Sequence, residues 1–363
     1  MNAADASSSG PSSSGPSSSG AARQRPHMPV EHIRPHTYVD GVYSLVNPQV
    51  GTAKNGKHFL KAMIRDATGE LAIRQWTFDE SQIGEISRTG FVWLGGQAQE
   101  YNGQVQIVVD TIRAVEVELE DLARLLPTTH HDIPAMFAEL SRILRSVSHP
   151  GMRALVEAYL GNAILMEHFR RAPAAVSVHH AWIGGLLEHT LQLLRLAEVM
   201  LPLYPGLNRD IVLVGLFLHD LGKTTELQWE RGFSYTDEGN LLGHTVKGVI
   251  LLTAMAAKSA RESGEKLPPE ALLVLQHIIV SHHGTLEFGA VKIPSTPEAI
   301  FISQLDNLDA KTAVGLHAAQ RQRRIEPGQE FTDRVWSLDT RIYRPDPLGS
   351  VTTRGAAPTP PAS

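Results

Sequence analysis

The spacing of hydrophobic positions along this chain changes once. Between residues 38 and 118 they fall in short runs: YVDGVYSLV (38–46), HFLKAMIRD (58–66), LAIRQWTF (71–78), GFVWLGGQAQEY (90–101) and VQIVVDTIRAV (105–115). Turn-forming pairs separate most of them: Asn55-Gly56, Thr68-Gly69 and Asn102-Gly103. Short runs rich in β-branched and aromatic residues, punctuated in this way, read as strands. Five strands in so short a segment predict a small closed barrel of the oligonucleotide-binding (OB) type, with a β-sandwich as the alternative.

From Leu119 onward the apolar residues recur every three or four positions, the helical period. The segments are LEDLARLL (119–126), IPAMFAELSRILRSV (133–147), GMRALVEAYLGNAILMEHFRRA (151–172), GGLLEHTLQLLRLAEVM (184–200), DIVLVGLFLHDLG (210–222), HTVKGVILLTAMAAKSA (244–260), PPEALLVLQHIIVSHHG (268–284) and PEAIFISQLDNLDAKTAVGL (297–316). Asn208 is placed to cap a helix that Gly222 would stop, and Pro297 stands just inside another helix start. The expected organisation is therefore multidomain. Residues 1–37 are a Ser/Gly/Pro-rich tail, 38–118 an all-β OB-like barrel, 119–150 a helical connector, 151–325 an all-α domain and 326–363 a second tail.

Composition narrows the chemistry. The 363 residues carry a net charge of −5, so no overall basic field draws the chain to nucleic acid, and any polyanion must meet a local patch or a metal. There is no cysteine, which excludes disulfides, thiolate zinc sites and a cysteine nucleophile. That fits a reducing cytoplasm, the expected location. No signal-peptide pattern is read at the N-terminus and no run approaches the roughly 18 apolar residues of a membrane span, so no membrane partner is expected.

The 17 histidines are the unusual feature, because several interrupt apolar helices. In order come His189, His219-Asp220, His244, His282-His283 and Asp306. A lone histidine on a helix is usually a partly buried residue with one hydrogen bond. A series of ionisable groups on core faces is different, because burying each without a partner costs several kcal/mol, roughly. A shared divalent ion removes that cost, since neutral imidazole and carboxylate are its preferred ligands. Adjacent helical residues point about 100° apart, so His219 and Asp220 reach one ion only near a helix end. A carboxylate at that pair can bridge two ions, and two-metal sites clamp the attacking and leaving oxygens of phosphoryl transfer. Lys223 is a candidate to neutralise substrate phosphate. His277 reads as a core histidine.

The order H…HD…H…HH…D resembles the HD superfamily of metal-dependent phosphohydrolases. The strings HHAWIGGLLEHT (179–190), GLFLHDLGK (215–223), FSYTDEGNLLGH (233–244), IIVSHHG (278–284) and TPEAIFISQLDNLDAK (296–311) resemble the YhaM-type 3′-5′ exoribonucleases, also called the CMP-binding-factor family. That resemblance spans about 38–325 and implies an OB-type domain followed by an HD domain. It implies removal of mononucleotides from the 3′ end of single-stranded RNA; single-stranded DNA as a second substrate and a homo-oligomer are left open by the sequence. It implies one or two divalent ions, Mn²⁺ first, with Mg²⁺, Fe²⁺ or Co²⁺ as alternatives. Carried over by position, His189, His219, Asp220 and Asp306 hold one ion, and Asp220, His244, His282 and His283 the second. Asp220 and Lys223 are the expected catalytic residues. Some two-metal HD proteins have a glutamate one turn before the first histidine; here that position is Gly185, and Glu188 faces elsewhere. His179 and His180 are candidate substrate contacts or helix caps.

In the barrel, Lys54, Lys57, Lys61 and Arg65 form a basic run with no acid among them, expected to contact the strand. Trp76, Phe78, Trp93 and Tyr101 are candidate stacking residues, about half of which strand alternation should send to the core. Competing readings are a nucleotide or cyclic-dinucleotide phosphohydrolase and a non-catalytic single-strand-binding protein.

Overall fold

The computed structural model describes residues 27–53, 56–101, 104–117, 121–176, 181–229, 233–320 and 330–345. Lys54, His179 and His180 lie outside them. The strands are β1 (Tyr38–Thr52), β2 (His58–Asp66), β3 (Gly69–Gln75), β4 (Phe91–Tyr101) and β5 (Gln104–Ala114), with α1 (Ile83–Thr89) between β3 and β4. They close a barrel in the order β1-β2-β3-β5-β4. All pairs are antiparallel except β3 with β5. This is an OB-like closure, and it leaves no free sheet edge. Alternation sorts the side chains: Leu60, Ala62 and Ile64 of β2 are buried with Val39, Ile73, Leu94 and Ile107, while Lys61 faces outward.

The expected N-terminal tail is partly barrel. Val30 and Ile33 pack in its core. Asp66, with no exposed surface, accepts hydrogen bonds from Val30 N (2.8 Å), Thr68 N (2.7 Å), Thr68 Oγ1 (2.7 Å) and Gly69 N (3.1 Å), and faces His27 Nε2 at 3.0 Å. Burial alone would raise this carboxyl, but the hydrogen bonds from His27, Thr68 and Val30 outweigh it and hold it below the ordinary value. A carboxyl depressed in the folded state stabilises fully above its unfolded value, about 3.9, and loses that contribution as pH falls through the folded one. Asp66→Ala is therefore expected to cost about 2–4 kcal/mol in urea unfolding at pH 7. The gap between variant and wild type should narrow as pH falls below the ordinary aspartate range; a constant gap would mean that the charge is not what holds the arm.

The helices begin with α2 (Leu122–Leu125), α3 (Ile133–Leu144), α4 (Pro150–Leu160) and α5 (Ala163–Arg171). The single helix expected over 151–172 is thus two, because Asn162 caps α5 by accepting Leu165 N. Next come α6 (Gly185–Met200), α7 (Arg209–Leu218), α8 (Lys223–Glu226), β6 (Leu227–Gln228), β7 (Ser234–Tyr235), α9 (Asp237–Ser263), α10 (Pro269–Ser281) and α11 (Pro297–Gln320). A hairpin, β8 (Phe331–Val335) and β9 (Thr340–Tyr343), packs on α11 where a C-terminal tail was expected. With two hairpins the second part is mainly helical rather than all-α. Helix α3, assigned by sequence to the connector, belongs to its core.

Helix α7 is the axis of that core. Every residue from Ile211 to Leu218 is buried, as an all-round apolar helix requires. The rings of Tyr159 and Phe169 meet Phe217 edge-on at 5.7 and 5.6 Å. Among the described residues helix α9 is long and apolar enough to cross a membrane by length and composition. Polar residues such as Thr245 and Lys247 interrupt it, so it is apolar on average without being a continuous apolar run. Here it packs on α4, α8 and α10 and is kinked at Gly243, whose φ of 71° a side chain rarely adopts.

Barrel and helices meet through a small apolar cluster. Val42 and Phe91 of the barrel join Leu122, Leu125 and Leu126, with Trp93, Ile183 and Phe233 packed against them. Two expected strand-binding residues are absorbed there. Arg65 is buried, pairs with Glu70, donates to Val176 O at 3.3 Å and sits 5.8 Å from the Phe233 ring centroid. Trp93 lies under Arg113 at 4.9 Å. Phe78 is barrel core.

Candidate metal centre

The C-terminal end of α7 answers how an adjacent His-Asp pair can share a site. After Leu218 the backbone tightens to three-residue hydrogen bonds, Leu221 N to Leu218 O and Lys223 N to Asp220 O. At this helix end Asp220 Oδ2 comes within 3.4 Å of His219 Nε2, so the two side chains reach one centre. Gly222 was expected to stop the helix through its freedom of conformation. Its φ of −60° is ordinary helix, and α8 follows directly. The glycine is needed for a close approach instead: a Cβ there would lie 2.0 Å from His244 O. It lets α9 bring His244 against the α7–α8 turn.

The structure brings all seven candidate ligands together. Asp220 is central and buried. Its Oδ1 lies 3.5 Å from both His244 Nε2 and His282 Nε2. Its Oδ2 lies 3.4 Å from His219 Nε2, 3.8 Å from His189 Nε2 and 2.7 Å from Lys223 Nζ. Asp306 Oδ1 is 3.2 Å from His189 Nε2. The ring of His283 packs on that of His282 at 4.2 Å. Two groups have ligand atoms within 4.8 Å of one another: His189, His219 and Asp220, and then His244, His282 and His283.

Four of the five imidazoles are aimed from behind. His219 Nδ1 bonds Leu216 O at 2.7 Å and His282 Nδ1 bonds Ile279 O at 2.8 Å. His189 Nδ1 bonds Asp309 Oδ2 at 2.8 Å, and His244 Nδ1 bonds Glu226 Oε1 at 3.0 Å. A proton fixed on Nδ1 leaves the Nε2 lone pair facing inward, the arrangement that metal-binding histidines use. Asp309 stands one turn after Asp306 on α11. Glu226 was missed, because nothing local ties it to a histidine 18 residues on. Glu188 indeed faces elsewhere, accepting from Thr129 Oγ1 and Trp182 Nε1. His277 is a half-buried latch rather than core, accepting Ser295 N at 2.8 Å.

The electrostatics suit a cation. Burial alone would raise Asp220, yet Lys223 and His219 hold it well below the usual carboxylate range. Burial opposes the charge on Lys223, and Asp220 overrides it, keeping the lysine protonated. Burial would also depress His189, but hydrogen bonds to Asp306 and Asp309 raise it to about 9. The surrounding carboxylates therefore draw a positive charge onto this ring, and a divalent ion bound there competes with that proton. Burial, reinforced by His282, pushes His283 down to about 4, leaving it neutral and able to ligate.

Five buried atoms at the centre have no hydrogen-bond partner: His219 Nε2, Asp220 Oδ1, His244 Nε2, His282 Nε2 and His283 Nδ1. Such atoms are costly unless something coordinates them. An imidazole-carboxylate set without thiolate fits a divalent ion such as Mn²⁺, Fe²⁺ or Mg²⁺.

The HD domain family profile matches residues 186–311, which hold the whole cluster. The chain is similar to the 3′-5′ exoribonuclease YhaM of Bacillus subtilis (strain 168), at 32% identity over 85% of this chain and 95% of that protein. It is similar to the protein of the same name from Bacillus licheniformis, at 34% identity over 81% of this chain and 91% of that one. Among solved structures, the second OB-fold domain of replication protein A from Methanococcus maripaludis matches 25% of this chain and 97% of its own, at 17% identity. Its TM-score of 0.18 is too low to carry an argument.

Proposed function

The chain belongs to the YhaM 3′-5′ exoribonuclease family, and from that premise we propose that it is a metal-dependent exonuclease removing mononucleotides from the 3′ end of single-stranded RNA. The observation that carries this reading is the convergence of five buried, partnerless ligand atoms around Asp220. His189, His219, Asp220 and Asp306 would hold one divalent ion, and Asp220, His244, His282 and His283 a second, with Mn²⁺ the expected metal. Bound there, the ions would polarise the terminal phosphodiester and activate water. The chain's own residues do the rest. Asp220 faces both groups and ties them together. Lys223 Nζ, 2.7 Å from Asp220 Oδ2, is placed to donate to a phosphate oxygen at the site. Asp309 and Glu226 keep two imidazoles aimed. A cysteine-free chain of this kind suits the reducing cytoplasm.

The test is a 5′-labelled single-stranded RNA and its DNA twin, incubated with chelator-stripped protein plus Mn²⁺, Mg²⁺ or no metal. A metal-dependent ladder shortening from the 3′ end is expected. RNA left intact with every metal would overturn the reading and direct attention to mononucleotide and cyclic-dinucleotide substrates.

A further inference from the structure

We propose that Phe59, Arg74 and Trp76, on the outer face of β2 and β3, form a seat on which bases of single-stranded RNA stack upstream of the 3′ end, so that this seat sets affinity for long strands and not for short ones. The inference rests on the exonuclease reading above and adds where the strand is held.

Strand alternation sends Phe59, Lys61 and Met63 outward from β2, while Leu60, Ala62 and Ile64 fill the core. Register sets Lys61 opposite Arg74. Phe59 lies across β1 at Gly51, where a Cβ would fall 2.5 Å from the ring's Cζ, so only glycine lets the ring settle there. Trp76, 51% exposed, stands 6.2 Å from Phe59, centroid to centroid, with the rings tilted by 48°. The Arg74 guanidinium lies 5.6 Å from the Phe59 ring and 4.9 Å from the Trp76 ring. A guanidinium between two rings offers bases a π-surface and phosphates a charge. Among the described residues neither Arg74 nor Lys61 is paired with a carboxylate. The acids beyond β3 are engaged: Glu80 with His58 at 2.9 Å, and Asp79 with Ser81 N and Oγ. An RNA strand, aromatic and anionic at once, matches this surface in both respects.

The same face leads to the metal centre. Phe59 and Arg65 are six residues apart on β2, about 20 Å at strand rise. Arg65 touches Val176 and Phe233, and Phe233 lies in the connection between β6 and β7. That hairpin leaves directly from α8, which carries Lys223 and Glu226 of the site. A strand whose 3′ end occupies the site thus needs several nucleotides before its bases reach the seat. A dinucleotide cannot reach it.

The experiment uses the full-length protein with Mn²⁺ and compares wild type, Trp76→Ala, Phe59→Ala/Trp76→Ala and Trp76→Phe. Steady-state kinetics are measured on a 20-nucleotide RNA and on a dinucleotide. RNA binding is read separately by fluorescence anisotropy in the Asp220→Asn background, where no cleavage intervenes. The double alanine variant should raise KM for the long RNA about tenfold or more, with kcat nearly unchanged. Its dinucleotide kinetics should match wild type, and Trp76→Phe should keep most of the affinity. An unchanged KM and anisotropy for the long RNA would overturn the seat, as would an equal loss on the dinucleotide. If the wild type cleaves neither substrate, the exonuclease reading fails, and anisotropy alone then decides the seat: lost binding in the double variant supports it, and intact binding sinks it.

Discussion

Asp220→Asn is expected to lower hydrolysis of a labelled single-stranded RNA by about 10³-fold or more, while the protein keeps its fold and its hold on RNA. The substitution changes almost no volume. It removes the one carboxylate that faces both histidine groups, 3.5 Å from His244 and His282 and 3.4 Å from His219. An amide there can also turn its NH₂ toward nitrogens whose lone pairs must stay free. Lys223, 2.7 Å away, loses its counter-charge as well. The variant should therefore bind fewer than the wild-type number of metal ions, measured by elemental analysis after dialysis, and excess Mn²⁺ should not restore activity. Wild-type rates in this variant would remove Asp220, and with it the bridged arrangement, from the reaction.

The second large effect is expected one layer out. Asp309→Asn and Glu226→Gln leave every proposed ligand in place but weaken the charge behind His189 and His244. Neutralising such a partner lowers ligand basicity and frees the ring to turn, which typically costs about 10–100-fold in metal affinity or activity. The apparent Mn²⁺ affinity, read from activity against free metal, should fall in that range for each variant. Raising Mn²⁺ should recover most of the rate, in contrast to Asp220→Asn. A rate loss that metal cannot rescue would assign these carboxylates to contacts with substrate instead. Glu226 also accepts His244 N at 3.0 Å. Its glutamine variant keeps an oxygen for that bond, so the comparison isolates charge from folding.

Much of the site could be read along the chain because its ligands sit at helix ends and on helix faces, where local spacing dictates direction. His219-Asp220, His282-His283 and Asp306 are of this kind. The partners that aim them from other elements were less visible. Glu226 reaches His244 only because α8 and α9 fold against each other, and that contact depends on Gly222 having no side chain. A local argument for Gly222 as a helix stop reached the right residue with the wrong reason. In the barrel, charge counting grouped Arg65 with the exposed lysines. Its position on β2, where the barrel meets the helical part, buries it instead.

The sequence by itself determined the two periods and hence a barrel followed by helices, the identity of the seven ligand candidates, and the absence of thiol chemistry. These follow from side-chain type and short-range spacing, which the backbone geometry of strand and helix converts directly into direction. Only the tertiary structure decided which imidazole nitrogens face inward, that Asp309 and Glu226 stand behind them, and that Trp93 and Arg65 join the domains while Phe59, Arg74 and Trp76 form an exposed cluster. Those outcomes depend on contacts between residues far apart in the chain. Such contacts are set by how whole elements pack, and no local pattern encodes them.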